Sequence, residues 1–148
     1  MLSNIIETDI DDLAQLVGSS IRYSTDESEQ TTQFLIDETI QSFSVWWENN
    51  SCGFQSKYSI EGEIVGFIIV KNFWNLSHLF VLPNYQRFGI GRALVQSAID
   101  ACKERSPEKK LKLNSSTYAA DFYKCVGFRQ SGPSLERPGG CIPYEYSY

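Results

Sequence analysis

Residues 79–92 read LFVLPNYQRFGIGR, and the reading of this stretch decides the rest. Leu79, Phe80 and Val81 are apolar and continue a run that begins near Trp74, as a strand does. Pro83 ends that strand, because proline has no N–H to give to a ladder. From Gly91 the period becomes helical: Leu94, Val95, Ala98 and Cys102 share one side, while Arg92, Gln96, Asp100 and Lys103 take the other. Gly89 and Gly91 therefore stand where a strand turns into a helix. The first N–H groups of a helix have no partner within it, and its dipole is positive at that end, so the position suits an anion such as a phosphate. Glycines there remove side chains that would block close approach and permit unusual backbone angles. Arg87 and Arg92 add charge. A turn of this kind also serves as a plain strand-to-helix connection. It is not a Walker loop, since no Gly-Lys-Ser/Thr follows, and it lacks the third glycine of the dinucleotide fingerprint.

Working outward, Ile5 and Ile6 predict a short edge strand, and Thr8 with Asp11 a helix cap. Ile10, Leu13, Val17 and Ile21 follow at helical spacing. Residues 24–30, STDESEQ, read as a polar loop. Ile36, Ile40, Phe43 and Trp47 mark a second helix, which residues 49–53 break. Residues 56–60 lead into a tight turn at Glu61-Gly62, residues 63–71 form an Ile/Val/Phe-rich strand, and Asn72 turns the chain into the strand over 74–82. Ser106-Pro107 stops the helix that begins at Gly91. Residues 111–113 read as a strand, 116–125 as a short helix ended by Gly127, Phe128 as the start of a strand, 132–140 as a loop and 141–148 as a last strand. The order β-α-α-β-β-β-α-β-α-β-β predicts a mixed α/β (α+β) domain around one sheet.

The chain has 148 residues, the size of one domain, and a single domain over 1–148 is expected. A net charge of −5 argues against a nucleic-acid partner; it suits solubility, and is compatible with a cationic amine. No apolar run approaches the ~20 residues needed to span a bilayer, and the N-terminus has no basic-then-apolar signal, so no membrane and a cytoplasmic location are expected. Cys52, Cys102, Cys125 and Cys141 make no CxxC pair, and with one His there is no metal-site pattern; the thiols are expected to be reduced.

Val81, Gln86, Gly89 and Gly91 match V-x-x-x-x-[Q/R]-x-x-G-x-[G/A], and the run as a whole resembles the acetyl-CoA pyrophosphate loop of the GNAT N-acetyltransferase superfamily. The resemblance implies a mostly antiparallel mixed sheet of about 6–7 strands with about four helices, splayed at the acetyl-CoA site. It implies that backbone amides of Gln86, Arg87, Phe88, Gly89, Ile90, Gly91 and Arg92 hold the pyrophosphate. Exposed backbone at Leu79, Phe80 and Val81 would pair with the pantetheine arm, one amide polarising the thioester carbonyl. No metal is implied.

Residues 114–128, NSSTYAADFYKCVGF, resemble the second motif of that family. By this resemblance Asn114 touches the pantetheine or a water, Ala119 and Phe122 line the cofactor, and Tyr123 is the general acid for the CoA thiolate. A free thiol titrates near 8.5 and a phenol near 10, so a tyrosine is protonated where the thiolate leaves. Read only from the residues, Tyr123 is also a packed aromatic and Asn114 a cap or strand end.

Many relatives carry a Glu on the strand before the loop as base. Here that strand, WNLSHLFVL, has no carboxylate. His78 is its only group titrating near neutrality, and alternation puts it opposite to Ser77 and Leu79. His78 as base, His78 as a structural group, and a water chain without a base all remain open. Glu61 and Glu63 lie at a hairpin and are expected in solvent. By resemblance the acceptor is bounded by the first two helices and the last two strands, with Tyr23, Trp46, Trp47, Phe54, Glu136 and Arg137 as wall candidates and Asp26, Glu27 and Glu29 as an acidic loop. A small-molecule amine is favoured as acceptor. A protein Lys or N-terminal acetyltransferase and an acyl-CoA-sensing module are the alternatives, as monomer or homodimer.

Overall fold

The computed structural model describes residues 1–49 and 52–148. Its sheet grows from two tight turns that the sequence marks. Glu61 and Gly62 are both left-handed (φ 51° and 81°), and so are Asn72 and Phe73 (φ 55° and 64°). Consecutive left-handed residues twist the two-residue loop at 61–62 and the three-residue loop at 72–74 in the sense that matches the strands. They join β2 (Gly53–Ile60) to β3 (Glu63–Lys71), and β3 to β4 (Asn75–Val81), in antiparallel register. With β1 (Leu2–Ser3), β5 (Lys110–Ser115), β6 (Arg129–Gln130) and β7 (Ile142–Ser147), the strand order is β1-β2-β3-β4-β5-β7-β6. The helices are α1 (Ile10–Ser24), α2 (Glu29–Glu48), α3 (Ile90–Cys102) and α4 (Ala120–Cys125). The expected element order and the splayed, mostly antiparallel sheet are both found.

β3 is buried on both faces, which is why its sequence is almost continuously apolar. Phe67 and Ile69 pack under α1 and α2 with Leu13, Leu16, Val17 and Phe43. Val65, Ile68 and Val70 face α3 and α4 with Leu94, Val95, Ala98, Leu111 and Tyr123. The sheet is thus the middle of three layers.

Two expectations at the N-terminus are corrected. The edge strand forms at Leu2–Ser3 rather than at Ile5 and Ile6. The N–H of Ile5 donates to Gln55 Oε1 (2.6 Å) and that of Ile6 to Asp9 Oδ2 (2.9 Å), so neither continues the ladder. Thr8 is not a helix cap; it lies in a 3₁₀ turn (Glu7–Asp9), and Asp9 leads into α1. Asp9 also receives Lys57 Nζ at 2.5 Å, with the side chains only 11% and 14% exposed, which ties this corner to β2. Part of the expected break over 49–53 falls on Asn50 and Ser51, outside the described residues; α2 ends at Glu48, with Asn49 as its cap.

β4 and β5 run parallel and pair at Asn75↔Lys112 alone. Lys112 N–H donates to the Trp74 carbonyl (2.7 Å), and beyond that point the strands part. The gap lies beside the end of β4 and the start of α3, where the glycine turn sits.

Candidate functional site

The turn is built around Gly89, which caps α3 in the left-handed region (φ 83°), with Arg87 also left-handed (φ 68°). A Cβ at Gly89 would meet nothing within 4 Å, so here glycine serves the backbone angle and leaves the N-terminus of α3 open. Gly91 serves packing instead: a Cβ there would lie 3.2 Å from the Phe122 ring. Among the described residues, none of the N–H groups of residues 87–92 donates to a protein acceptor, whereas Ala93 N–H closes the first helical turn on the Gly89 carbonyl (3.0 Å). A consecutive run of unpaired donors at a helix N-terminus is an anion cradle; Gln86, expected in it, is not part of the run, since its N–H donates to the Pro83 carbonyl (3.3 Å). Arg87, Phe88 and Arg92 are exposed beside it, while the Ile90 side chain is buried in the core, so Ile90 has only its backbone to offer.

The end of β4 faces the gap. Leu82 N–H donates to Val65 of β3 (2.8 Å). Hydrogen bonding alternates along an antiparallel strand, so Phe80 also turns its backbone to β3, and Leu79 and Val81 turn theirs toward the gap. Phe80 packs its ring on Phe67 (5.8 Å between centroids), so its contribution is to the α1/α2 core. The Val81 carbonyl accepts from Gln86 Nε2 (3.1 Å) and, at 3.5 Å, from Ser20 Oγ. The second motif arrives from the far side: Phe122, Gly91 and the Val81 side chain converge, and Ala119 begins α4 with its N–H on Ser116 Oγ (3.2 Å). Asn114 is exposed on the parted end of β5, opposite Pro143 of β7.

Tyr123 is buried among Phe122, Phe128 and Tyr144, at 5.3, 5.6 and 6.4 Å between ring centroids. Burial pushes its phenol well above the ordinary range. Its hydroxyl makes no hydrogen bond to the described residues, yet among these no sealed polar side-chain atom lacks a partner. The oxygen therefore sits at the accessible edge of the core.

Of the readings open for His78, its surroundings are those of a structural group. It is 2% exposed, with Nε2 on the Thr39 carbonyl (3.0 Å) and Nδ1 on Ser77 Oγ (2.7 Å). A carbonyl only accepts, so Nε2 carries the proton and Nδ1 receives the Ser77 hydroxyl. Burial lowers its pKa to about 4; the bond to Thr39 opposes the shift and Lys71 adds to it. The strand alternation read from sequence is also interrupted. β3 pairs Ile69↔His78 and then Val70↔Leu76, leaving Ser77 as a bulge. Leu76 thereby joins the α3 core while His78 packs against Phe43 and Phe67 under α2. Glu61 and Glu63 are exposed at the hairpin, as expected.

A cleft of about 750 Å³ opens where the α1–α2 connection, the start of α4 and the β6–β7 loop meet. Asp26, Glu27, Thr117, Tyr118, Glu136 and Arg137 are among its lining residues. Glu29 is not one: it pairs with Arg22 at 2.6 Å. Tyr23 stands edge-on to Tyr118 (6.3 Å, 90°). Trp46, Trp47 and Phe54 lie elsewhere: Trp46 lines a separate groove with Glu38 and Lys71, Trp47 packs on Phe43, and Phe54 packs on the α3 core. Tyr118 carries no local signal beyond its place directly before Ala119, because its partners are far away along the chain.

Residues 22–146 match the family described as acetyltransferase (GNAT) domain. An N-alpha-acetyltransferase of Sulfurisphaera tokodaii is 32% identical over 48% of this chain, and the match spans about half (53%) of that relative's length. A GCN5-related N-acetyltransferase structure from Rhodopseudomonas palustris superposes with a TM-score of 0.86 at 18% identity, covering 100% of this chain and 95% of the other. The PaiA N-acetyltransferase of Thermoplasma acidophilum, solved in complex with coenzyme A, gives 0.81 at 19% identity over 100% and 98%. Identities this low show a shared fold.

Proposed function

The chain belongs to the GNAT acetyltransferase family, whose acyl donor is acetyl-CoA, and on that premise we propose that it transfers the acetyl group to a primary amine, a small-molecule amine in the first place. The observation that carries the donor half is the run of unpaired N–H groups over residues 87–92 at the mouth of the β4–β5 gap. Those amides, with Arg87 and Arg92, hold the pyrophosphate; the gap-facing backbone of Leu79 and Val81 holds the arm. Ala119 and Phe122 wall the arm, with Asn114 beside it. When bound, acetyl-CoA supplies an activated thioester. A gap-facing β4 amide is the donor for the developing oxyanion.

Tyr123 is the group that meets the departing sulfur. An ordinary phenol is already about 1.5 pKa units weaker than a thiol, and burial widens that difference. Tyr123 is therefore protonated as the C–S bond breaks, and the hydrogen bond it gives stabilises the departing thiolate, which takes its proton from solvent. His78 holds α2 to β4 rather than accepting a proton, since both of its nitrogens are engaged. The acceptor amine enters the 750 Å³ cleft, whose carboxylates Asp26, Glu27 and Glu136 attract a cation and are the bases at hand. A second reading, a peptide N-terminus as acceptor, is favoured by the N-alpha-acetyltransferase relative.

The test is release of CoA thiol from acetyl-CoA by the purified protein, with polyamines, amino acids, aminoglycosides and peptides as acceptors. Release with one acceptor class identifies it. Binding of CoA with no release for any class would replace the enzyme by an acyl-CoA-sensing module.

A further inference from the structure

We infer that Tyr118, on the wall of the acceptor cleft, is a positioning residue for the donor site and acts through Gln86; the inference rests on residues 79–92 being that site. The Val81 carbonyl at the end of β4 accepts from Gln86 Nε2 at 3.1 Å. A carbonyl has no proton to give, so the side-chain amide must turn its nitrogen to Val81 and its oxygen away. That oxygen faces the Tyr118 hydroxyl at 2.8 Å, which therefore donates. Both ends of the amide are used, and neither bond survives its rotation. Gln86 also begins the turn that carries the unpaired amides, with its own N–H on the Pro83 carbonyl (3.3 Å).

Tyr118 is itself braced. Its ring stands edge-on to Tyr23 of α1, and the neighbouring Thr117 N–H donates to the Gly139 carbonyl (3.0 Å). The chain of contacts runs from α1 and the β6–β7 loop through Tyr118 and Gln86 to the end of β4. Without the Tyr118 bond Gln86 is held at one end only, and the donors after it lose part of their fixed geometry. A site that must order itself on binding binds more weakly. The Tyr118 side chain is half exposed, so its hydroxyl holds the loop and not the core.

The test is calorimetric titration of CoA into the full chain, its Tyr118→Phe and Gln86→Ala variants, and the double variant. Tyr118→Phe removes the hydroxyl and keeps the ring against Tyr23. It should weaken CoA binding about 3- to 10-fold, the effect of one ordinary hydrogen bond, with an unchanged melting temperature. Gln86→Ala should cost at least as much, and the double variant no more than Gln86→Ala alone, because Tyr118 acts through Gln86. Wild-type affinity in Tyr118→Phe overturns the inference. So does a double variant that loses the product of the two single effects, or a Tyr118→Phe loss that comes with a fall in melting temperature. No CoA binding by the unmodified chain overturns the donor-site reading, and this inference with it.

Discussion

Replacing His78 separates a structural histidine from a catalytic one. In the folded chain its pKa is lowered to about 4 from 6.5 by burial. In the unfolded chain it titrates near 6.5, so between these values the unfolded state binds more protons than the native one. The sign follows: the stability is fully present above pH 6.5 and is lost as pH falls through the folded pKa near 4. A difference of this size corresponds to about 3 kcal/mol. His78→Leu removes the titration and leaves the Thr39 carbonyl and the Ser77 hydroxyl without their partner, a cost of roughly 2–4 kcal/mol at pH 7. Urea unfolding of both proteins from pH 7.5 to pH 4 isolates the effect, since the other groups are common to both. The gap between them should narrow by about 3 kcal/mol on going to pH 4. His78→Gln keeps a donor for Thr39, cannot titrate, and should narrow in the same way. Curves that stay parallel through the window would refute the reasoning. A limb near pH 6.5 in the rate profile that vanishes in His78→Gln would return His78 to the role of base.

Tyr123→Phe should lower acetyl transfer by about 100-fold while leaving the CoA dissociation constant and the melting temperature unchanged, because its hydroxyl makes no bond to the described residues; initial rates and calorimetry check both. Gly91→Val pushes a side chain into the Phe122 ring, 3.2 Å from the ideal Cβ. It should cost about 1–3 kcal/mol in urea unfolding and weaken CoA binding as well, since Phe122 and the turn share that contact. Asp9→Ala leaves the half of the ion pair on Lys57 nearly buried and uncompensated. It should cost about 3 kcal/mol by thermal unfolding with CoA affinity unaltered, as Asp9 lies outside both the glycine turn and the cleft.

What the sequence made legible is what local rules control. The turns at 61–62 and at Asn72, the Ile/Val/Phe-rich β3 and the apolar side of α3 follow from short-range pattern, and so does the glycine turn as a position suited to an anion. Long-range partners were not legible. The bulge at Ser77 exists only in register with β3, so simple alternation cannot foresee that Leu76 and His78 face opposite sides of the sheet. The acidic residues 26 and 27 are expected near the acceptor only by resemblance, and what makes them a cleft wall is the β6–β7 loop folding onto them, with Gly139 N–H reaching Glu27 Oε1 at 3.4 Å. Trp46 and Trp47 drew attention as large aromatics, yet helix geometry points them at a distant groove and at Phe43. At Gly91 the residue was legible and its reason was not, since Phe122 lies 31 positions away and only the fold brings it near.

The central claim is that the turn over residues 79–92 holds acetyl-CoA. Calorimetric titration of acetyl-CoA into the purified chain and into Gly89→Val tests it most directly, because a β-branched residue cannot adopt the left-handed angle that aims the amides of this turn. The account predicts saturable one-to-one binding by the unmodified chain and none by the variant. No binding by the unmodified chain, or undiminished binding by Gly89→Val, would contradict it.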